Sequence, residues 1–333
     1  MRPDQRNILI ASALILTLVT FLVSLGLGQY PIPLDRTLEI LGNLFSGPET
    51  VAQKILLKVR LPRLTACVLV GGGLAVSGAV YQGLFKNPLV SQNILGVSAG
   101  AGLGAAVAIA LGLSGIFIQL AAFTGGMAAV AIVMAIAALI PHRSSLVLIL
   151  AGIIVGGFSA SMLTLIQYLV DPNSTLANIV YWLMGSLANT GSQDVAMVWI
   201  PMAAGLAFLF ALRYRINVLS LGDDQARSLG VNVKGVRLVC ILWATILTSS
   251  AVCISGTIGW FGLVVPHLAR LMVGDNHQKL VPMTFFTGAT AMMLVDDFAR
   301  TATTTEIPLG VITGIIGAPV FTFLLLKKNM GDA

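Results

Sequence analysis

Residues 213–237 read RYRINVLSLGDDQARSLGVNVKGVR, a polar segment in a chain that is otherwise almost continuously apolar. The segment holds five lysine and arginine residues and two aspartates, and long apolar runs lie on both sides of it. Gly222 and Gly230 bracket a short stretch with helical spacing. Asp223 and Asp224 fall in its first turn, where the helix dipole favours acidic side chains. We therefore predict a short charged helix between two membrane spans, presented to a soluble partner.

The composition outside this segment is that of a membrane protein. Hydrophobic residues make up 57% of the 333 residues and charged residues only 10%, whereas a soluble domain carries about 25% charged residues. The apolar runs are about 17 to 25 residues long, which matches a helix crossing about 30 Å of hydrocarbon. A soluble all-α protein, the alternative, would need a charged surface that this chain lacks. We predict an all-α, polytopic integral membrane protein.

Ten spans are expected, and helices are the default because a span in lipid must satisfy its own backbone hydrogen bonds. The predicted spans are residues 8–27, 64–84, 94–113, 116–140, 146–170, 195–212, 236–255, 261–273, 281–298 and 308–326. The eighth is too short for a simple crossing, and the sidedness of every later segment depends on it. Residues 1–333 are expected to form a single transmembrane domain, with 213–237 between the sixth and seventh spans.

The distribution of basic residues predicts the orientation. With the N-terminus inside, 13 of the 19 lysine and arginine residues lie on the cytoplasmic side. Both termini and residues 213–237 are then cytoplasmic. The basic residues left outside are Arg36, Lys54, Lys58, Arg60, Arg63 and Arg300.

Glycines spaced four residues apart within the spans predict close helix packing, as at Gly96, Gly100 and Gly104 and again at Gly310 and Gly314. Small residues on one helix face let two backbones approach each other. Room for a bulky solute along a pathway is a second interpretation of the same spacing.

The spans contain little chemistry for self-powered transport. No G-x-x-x-x-G-K-[ST] motif occurs, so the chain cannot bind ATP by that route. The three cysteines lie in apolar spans without the spacing of a metal site. Asp296 and Arg300 are four residues apart and could pair on one helical face. We predict a pore without metal or cofactor of its own, driven by energy supplied from elsewhere.

From about residue 60 to 326 the chain resembles the permease subunits of bacterial ABC importers for iron-siderophores, haem and cobalamin, the large ten-span (type II) class. The resemblance rests on motifs in a specific order. They are RLPR at 60–63, GLAVSG at 73–78, NPL at 87–89, WLMGSL at 182–187, LGDDQARSLG at 221–230, GLVVPHLAR at 262–270, DDFAR at 296–300, EIP at 306–308 and GAP at 317–319.

The resemblance implies the partners. It predicts a homodimer or a close heterodimer in the bacterial inner membrane, two ABC ATPase subunits that bind ATP and Mg²⁺, a periplasmic or lipid-anchored substrate-binding protein, and no nucleic acid. It also implies that the 213–237 segment holds the coupling helix. The residues carried over for contact with the ATPase are Leu219, Leu221, Gly222, Asp223, Asp224, Gln225, Ala226, Arg227, Ser228, Leu229 and Gly230.

Two further sites are implied by the resemblance. Arg60, Arg63 and Arg300 match arginines that receive acidic residues of the binding protein; the alternative is that they snorkel or pair locally. We expect glutamate at Arg60 and Arg63 to weaken capture of the binding protein without loss of the folded dimer.

A cytoplasmic gate is implied at Asn87 and Leu89 and at Ser144 and Ser145; the alternative is that these are ordinary loop and cap residues. Residues 174–187 resemble the short outer helix that rims the family's cavity. Gln92 stands near a position where the family often has proline.

The resemblance leaves the substrate open. Import of an iron-siderophore by alternating access is the leading expectation, with haem or cobalamin as other chelates and an oxyanion such as molybdate as an alternative. An ion-coupled secondary transporter belongs to a different class. It would need mid-membrane acids or exposed carbonyls that bind the coupling ion, and no such acids are found in the spans.

Overall fold

The computed structural model describes residues 3–42, 50–140 and 145–331. Within these ranges the chain forms helices and no β-strand. The helices are α1 (Pro3–Gly26), α2 (Leu34–Gly42), α3 (Val51–Lys54), a π-helical segment (Ile55–Arg60), α4 (Leu61–Phe85), α5 (Val97–Ala110), α6 (Ile116–Leu139), α7 (Ser145–Leu169), α8 (Thr175–Met184), α9 (Ser192–Leu221), α10 (Asp223–Ser228), α11 (Val233–Ser255), α12 (Phe261–Val273), α13 (His277–Thr301) and α14 (Leu309–Gly331).

Each of the ten predicted spans coincides with a helix, so the all-α prediction is confirmed. Among the described residues, six helices are long and apolar enough to cross a membrane. The second span is longer than predicted, because α3, the π-helical segment and α4 run on as one 35-residue helix. The third is shorter: α5 has 14 residues, since Gly96 and Gly112, both with positive φ, end it on either side.

Helix α4 lies at the centre of the bundle and is buried over most of its length. Glycines let its neighbours approach closely, as the sequence predicted. A Cβ atom added at Gly78 would lie 1.9 Å from the carbonyl oxygen of Gly262 in α12, and one at Gly71 would lie 2.4 Å from that of Gly288 in α13. The backbones of α4, α12 and α13 are therefore in direct contact.

Most of the glycines predicted from their spacing lie at close helix contacts, but not all of them do. A Cβ at Gly100 would lie 2.5 Å from the carbonyl oxygen of Gly125, and one at Gly104 would lie 2.1 Å from that of Ala121, so α5 packs closely against α6. Gly310 in α14 is equally restricted, but Gly314 has no atom within 4 Å of its added Cβ. A repeat of small residues thus marks helix contacts without identifying each contacting position.

The short eighth span matches α12, whose 13 residues reach only about 20 Å at 1.5 Å per residue. A non-helical segment, residues 256–260, connects it to α11. This segment lies against the end of α8, where the Ser186 amide donates to the Ser255 carbonyl at 2.8 Å and the Thr257 hydroxyl donates to the Leu183 carbonyl. Irregular backbone is tolerated at such depth because the surrounding protein satisfies its polar groups.

The contacts define two ends of the molecule. At the first, which we call the α10 end, Lys86 at the end of α4 contacts Asp223 and Gly274 lies beside Arg6 of α1. At the second, the α8 end, the Leu309 amide of α14 donates to the Gly185 carbonyl at 2.8 Å. The N-terminal part of α1 and the short helix α10 therefore share one end. Its assignment to the cytoplasm stays a prediction from the basic residues.

Candidate coupling, gate and cavity sites

The polar segment folds as the sequence predicted, into a short helix between two glycines. Gly222 has φ +139° and separates α9 from α10, and Gly230, with φ +76°, follows the end of α10. A side chain at Gly222 would also collide with Gln225, whose Oε1 would lie 2.0 Å from the added Cβ. Both glycines therefore set the direction in which α10 leaves the bundle.

The outward face of α10 and its flanks combines apolar and charged groups. Leu221 and Leu229 are 62% and 61% exposed, and the exposed side chains of Asp224 and Arg227 pair with each other at 3.2 Å. Exposed leucines beside charges form a surface suited to a protein partner. Gln225, Ser228 and Gly230 are also exposed.

Three of the residues that the resemblance assigns to ATPase coupling face the helical bundle instead of solvent. Leu219, Gly222 and Ala226 are buried by the chain itself. They can hold α10 against the bundle but cannot offer a side chain to an ATPase in this conformation. Contact with an ATPase stays a prediction for the exposed members of the set.

Asp223 faces inward and joins three elements. Its carboxylate accepts from Arg237 Nη2 of α11 at 2.9 and 3.1 Å and lies 3.3 Å from Lys86 Nζ at the end of α4. Partial burial raises the pKa of Asp223, but the charges of Arg237 and Lys86 outweigh it and hold that pKa below its ordinary value. The carboxylate is therefore ionised at neutral pH.

The predicted gate residues Asn87 and Leu89 form a compact turn after α4. Lys86 is one of two non-glycine residues with positive φ in the described chain, at +50°, and it reverses the chain at the helix end. The Asn87 side chain then accepts from the Leu89 amide at 2.9 Å. Asn87 and Leu89 are both exposed, so the turn is free to contact a facing surface.

The second predicted gate segment is only partly described. Ser145 is half-buried and begins α7, whereas Ser144 lies outside the described residues. A gate role stays a prediction for both segments.

Gln92, the departure from the family pattern, is buried against α12. A Cβ on Gly262 would lie 1.9 Å from Gln92 Oε1. The glutamine side chain thus packs over a position that must remain glycine, and it adds a contact between the turn region and α12.

The arginines predicted to dock a binding protein are buried at the α8 end. Arg63 Nε and Nη2 both contact Asp296, at 2.8 to 3.0 Å, and Arg63 Nη1 and Nη2 donate to Glu306 at 2.8 Å each. Asp296 is completely buried, and the Glu306 side chain is partly exposed. One guanidinium therefore joins the start of α4, the end of α13 and the α13–α14 loop.

Arg300 and Arg60 complete this group. Arg300 donates to Asp297 and to the Ser24 carbonyl, and its Nε lies 3.6 Å from Asp296. Arg60 donates to the backbone carbonyls of Leu25 and Tyr30. We call Arg60, Arg63, Asp296, Asp297, Arg300 and Glu306 the distal charge cluster.

This geometry favours the local-pairing alternative for the three arginines in the conformation described. Docking stays a prediction, but an incoming carboxylate would have to replace a carboxylate on Arg63 or Arg300, or a backbone carbonyl on Arg60. The proposed test also changes, because glutamate at Arg63 would place a third carboxylate beside Asp296 and Glu306 and would destabilise the fold.

The partner that sequence reasoning missed is Glu306. It lies 243 positions from Arg63, beyond any helical spacing rule. Its motif, EIP at 306–308, closely follows DDFAR at 296–300, and this proximity to a charged motif was the signal available.

A cavity of about 660 Å³ opens at the α8 end, between the α5–α6 connection, α8, the start of α9 and the end of α11. Its polar lining is mainly hydroxyl and amide groups, together with the rings of Tyr181 and Trp182. Asp194 is the one carboxylate among the described lining residues, which include no lysine or arginine. It accepts from Gln119 Nε2 at 2.6 Å and from the Gly191 amide at 2.7 Å. The lining around 174–187 agrees with the predicted outer rim.

Known proteins resemble this chain over nearly its whole length. The FecCD transport family matches residues 16–327. The molybdate import system permease MolB of Haemophilus influenzae is 38% identical over 99% of both chains. A probable iron chelatin transport system permease of Helicobacter pylori is 42% identical over 83% of both. A solved structure described as an inward-facing conformation of a metal-chelate type ABC transporter has a TM-score of 0.87 at 37% identity, covering 96% of this chain and 98% of that one.

Proposed function

Given that this chain belongs to the FecCD transport family and is an ABC importer permease rather than an enzyme, we propose that its cargo is a metal chelate, with an iron–siderophore complex as the first candidate. ATP is hydrolysed by a partner ATPase, so the ion-coupled transporter considered from the sequence loses its support. The family assignment also agrees with a multi-pass membrane location.

The observation that carries the chelate proposal is the cavity at the α8 end. A volume of about 660 Å³ is of the size that small-molecule pockets use for drug-sized ligands. Hydroxyl, amide and aromatic groups suit the hydrogen-bonding and apolar surface of a wrapped metal ion. Haem and cobalamin are chelates of the same broad class and enter the same test.

An oxyanion is the second candidate, favoured by the similarity to MolB over 99% of both chains. The cavity lining argues against it, because compact oxyanions are usually held by arginine, lysine or clustered backbone amides. Here the charged group is the carboxylate of Asp194, which would repel an anion. Cargo charge is therefore the property that separates the two candidates.

We further propose the assembly that the resemblance implies. Two copies of this chain would enclose the pathway, two ATPase subunits holding ATP and Mg²⁺ would bind the α10 ends in the cytoplasm, and a binding protein would approach the α8 end from outside. The chain itself would need no cofactor. Exposed Leu221 and Leu229 beside a charged pair support the ATPase contact.

The test is uptake by the complete complex in proteoliposomes, with its ATPase and binding protein. Radiolabelled ferric siderophore, haem, cobalamin and molybdate are offered in parallel, and an ATPase-inactive complex is the control. We expect ATP-dependent accumulation of a chelate. Accumulation of molybdate alone would transfer the assignment to the oxyanion, and accumulation by this chain without an ATPase would overturn the importer mechanism.

The variant Asp194→Asn sharpens the choice, because it removes the negative charge and keeps the size of the side chain. Uptake of an oxyanion should rise in this variant, whereas uptake of a neutral or cationic chelate should not. Asn189→Asp, which adds a charge to the same cavity lining, is the matched opposite and should reduce the uptake of an oxyanion further.

A further inference from the structure

We propose that Asp223 is a positioning residue that links α10 directly to the gate turn at residues 86–89, so that a displacement of α10 moves the turn through the Asp223–Lys86 ion pair. The inference rests on the proposed function, because it requires an ATPase to move α10. It goes beyond that function by assigning the connection between motor contact and gate to one side chain and its two partners.

The carboxylate of Asp223 is the meeting point of three elements. It is the first residue of α10, it accepts two hydrogen bonds from Arg237 in the second turn of α11, and it lies 3.3 Å from Nζ of Lys86. Lys86 is the first residue of the gate turn. An ion pair therefore joins α10 directly to the turn.

Burial and hydrogen bonds fix the backbone on both sides of the Asp223–Lys86 pair. On the α10 side, Ala226 is fully buried and its carbonyl accepts from the Val231 amide at 2.9 Å. On the gate side, the Asn87 amide donates to the Gln82 carbonyl at 3.1 Å, and the Asn87 side chain caps the Leu89 amide. A force on the side chain of Lys86 is therefore passed to the whole turn.

The two partners of Asp223 suit different tasks. Arg237 is mostly buried and holds both carboxylate oxygens through one guanidinium nitrogen, so it orients the carboxylate relative to α11. The Lys86 side chain is 40% exposed. A lysine ammonium is a point charge on a flexible stem, so the pair can persist while α10 and the turn change their relative angle.

Asp224 provides a matched comparison within the same helical turn. It is also a carboxylate in the first turn of α10, but among the described residues its ion pair is with Arg227 of the same helix, and its side chain is 92% exposed. Loss of its charge leaves the connection between α10 and the gate turn intact. The two neighbouring aspartates therefore separate transmission from general effects on the surface of α10.

The experiment measures gate movement and ATP hydrolysis on the same complex. A nitroxide label at Leu89→Cys reports the mobility of the gate turn, and the native cysteines at 67, 240 and 253 are buried. The reconstituted complex with ATPase and binding protein is compared with and without ATP. The readout is the ATP-driven change in the label spectrum divided by the ATP hydrolysed.

We expect Asp223→Asn and Lys86→Gln each to lower this ratio about threefold, the scale of a lost exposed ion pair. Asp224→Asn should keep the wild-type ratio, even where its hydrolysis rate changes. Asp223→Glu and Lys86→Arg, which retain the charges, should recover most of it.

Two results would overturn the inference: a wild-type ratio in Lys86→Gln, or a loss in Asp224→Asn equal to that in Asp223→Asn. If Lys86→Gln keeps the wild-type ratio while Asp223→Asn loses it, Asp223 acts on the ATPase instead. Lys86→Gln changes a half-exposed side chain and decides the question if Asp223→Asn does not assemble. A wild-type complex without ATP hydrolysis stimulated by the binding protein contradicts the proposed function itself.

Discussion

The two ends of this protein carry their charges in opposite ways. At the α8 end the distal charge cluster is buried, and arginines and carboxylates from distant parts of the chain share hydrogen bonds. At the α10 end the pairs are at least partly exposed, and the pair between Asp224 and Arg227 is largely in solvent. Buried charges are expensive to separate, whereas exposed pairs exchange partners at little cost.

This difference in the burial of charges indicates that the two ends have different mechanical roles. The distal charge cluster joins α1, α4 and α13 and the loop before α14, so it resists relative movement of these elements. At the α10 end the largely exposed Asp224–Arg227 pair can break and re-form as a partner binds, whereas the Asp223–Lys86 pair stays in place as α10 moves. A molecule with one clamped end and one adjustable end suits a switch between two rigid-body states.

The largest effect is expected from Arg63→Ala. Its removal leaves Asp296 buried without its main partner, and breaking a buried charge pair costs about 3–5 kcal/mol. Thermal unfolding of the purified chain in detergent measures the loss. Arg63→Lys keeps the charge without the planar fork and should recover part of the stability. Unfolding of Arg63→Ala at the wild-type temperature would refute the view of the cluster as a clamp.

A smaller effect is expected from Glu306→Gln. The glutamine removes one of two carboxylates on Arg63 but keeps an oxygen acceptor, and the site is partly exposed, so the loss should be about 1–2 kcal/mol. Chemical unfolding followed by tryptophan fluorescence measures it. If Arg63 also receives a carboxylate of the binding protein, this variant should bind that protein more tightly, because Glu306 no longer competes for the guanidinium. Weaker binding would contradict the idea that a carboxylate of the binding protein takes the place of Glu306 on Arg63.

The smallest effect on stability is expected from Leu221→Ser combined with Leu229→Ser. Both leucines are already exposed, so the unfolding free energy should change by less than about 0.5 kcal/mol for each. Retention of the ATPase during purification should nevertheless fall strongly, because the apolar part of the contact surface is lost. Leu238→Ser is the control, because Leu238 on α11 is also more than half exposed. Full retention of the ATPase in the double variant would show that the partner binds elsewhere.

The helices could be predicted from the sequence because each depends on local apolar runs. The ten spans and the glycine-bracketed α10 followed from segments of at most a few dozen residues, and the family followed from the order of short motifs along the chain. The first and last residues of α5 were harder to predict, because two glycines with positive φ shorten the helix within an otherwise continuous apolar run. The short eighth span was predicted with its correct bounds, but the contacts that make its non-helical approach tolerable come from α8.

The sites were predictable in position but not in environment. Lys86 and Asp223 are 137 residues apart, and no spacing rule relates them. Arg63 was expected to face a partner protein, yet it faces Asp296 and Glu306. The cavity at the α8 end is assembled from the ends of several helices, so its polar character without basic residues was not visible along the chain.

By itself the sequence determined the class of protein, the ten long apolar helical segments and the presence of a polar helix between two of them. Hydrophobicity and chain flexibility act over neighbouring residues and can be followed along the chain. Only the tertiary structure decided which charges are buried together, which aspartate of α10 turns inward and what lines the cavity. Electrostatic pairing depends on distances in space, and residues far apart in sequence are brought within 3 Å only once the helices have packed.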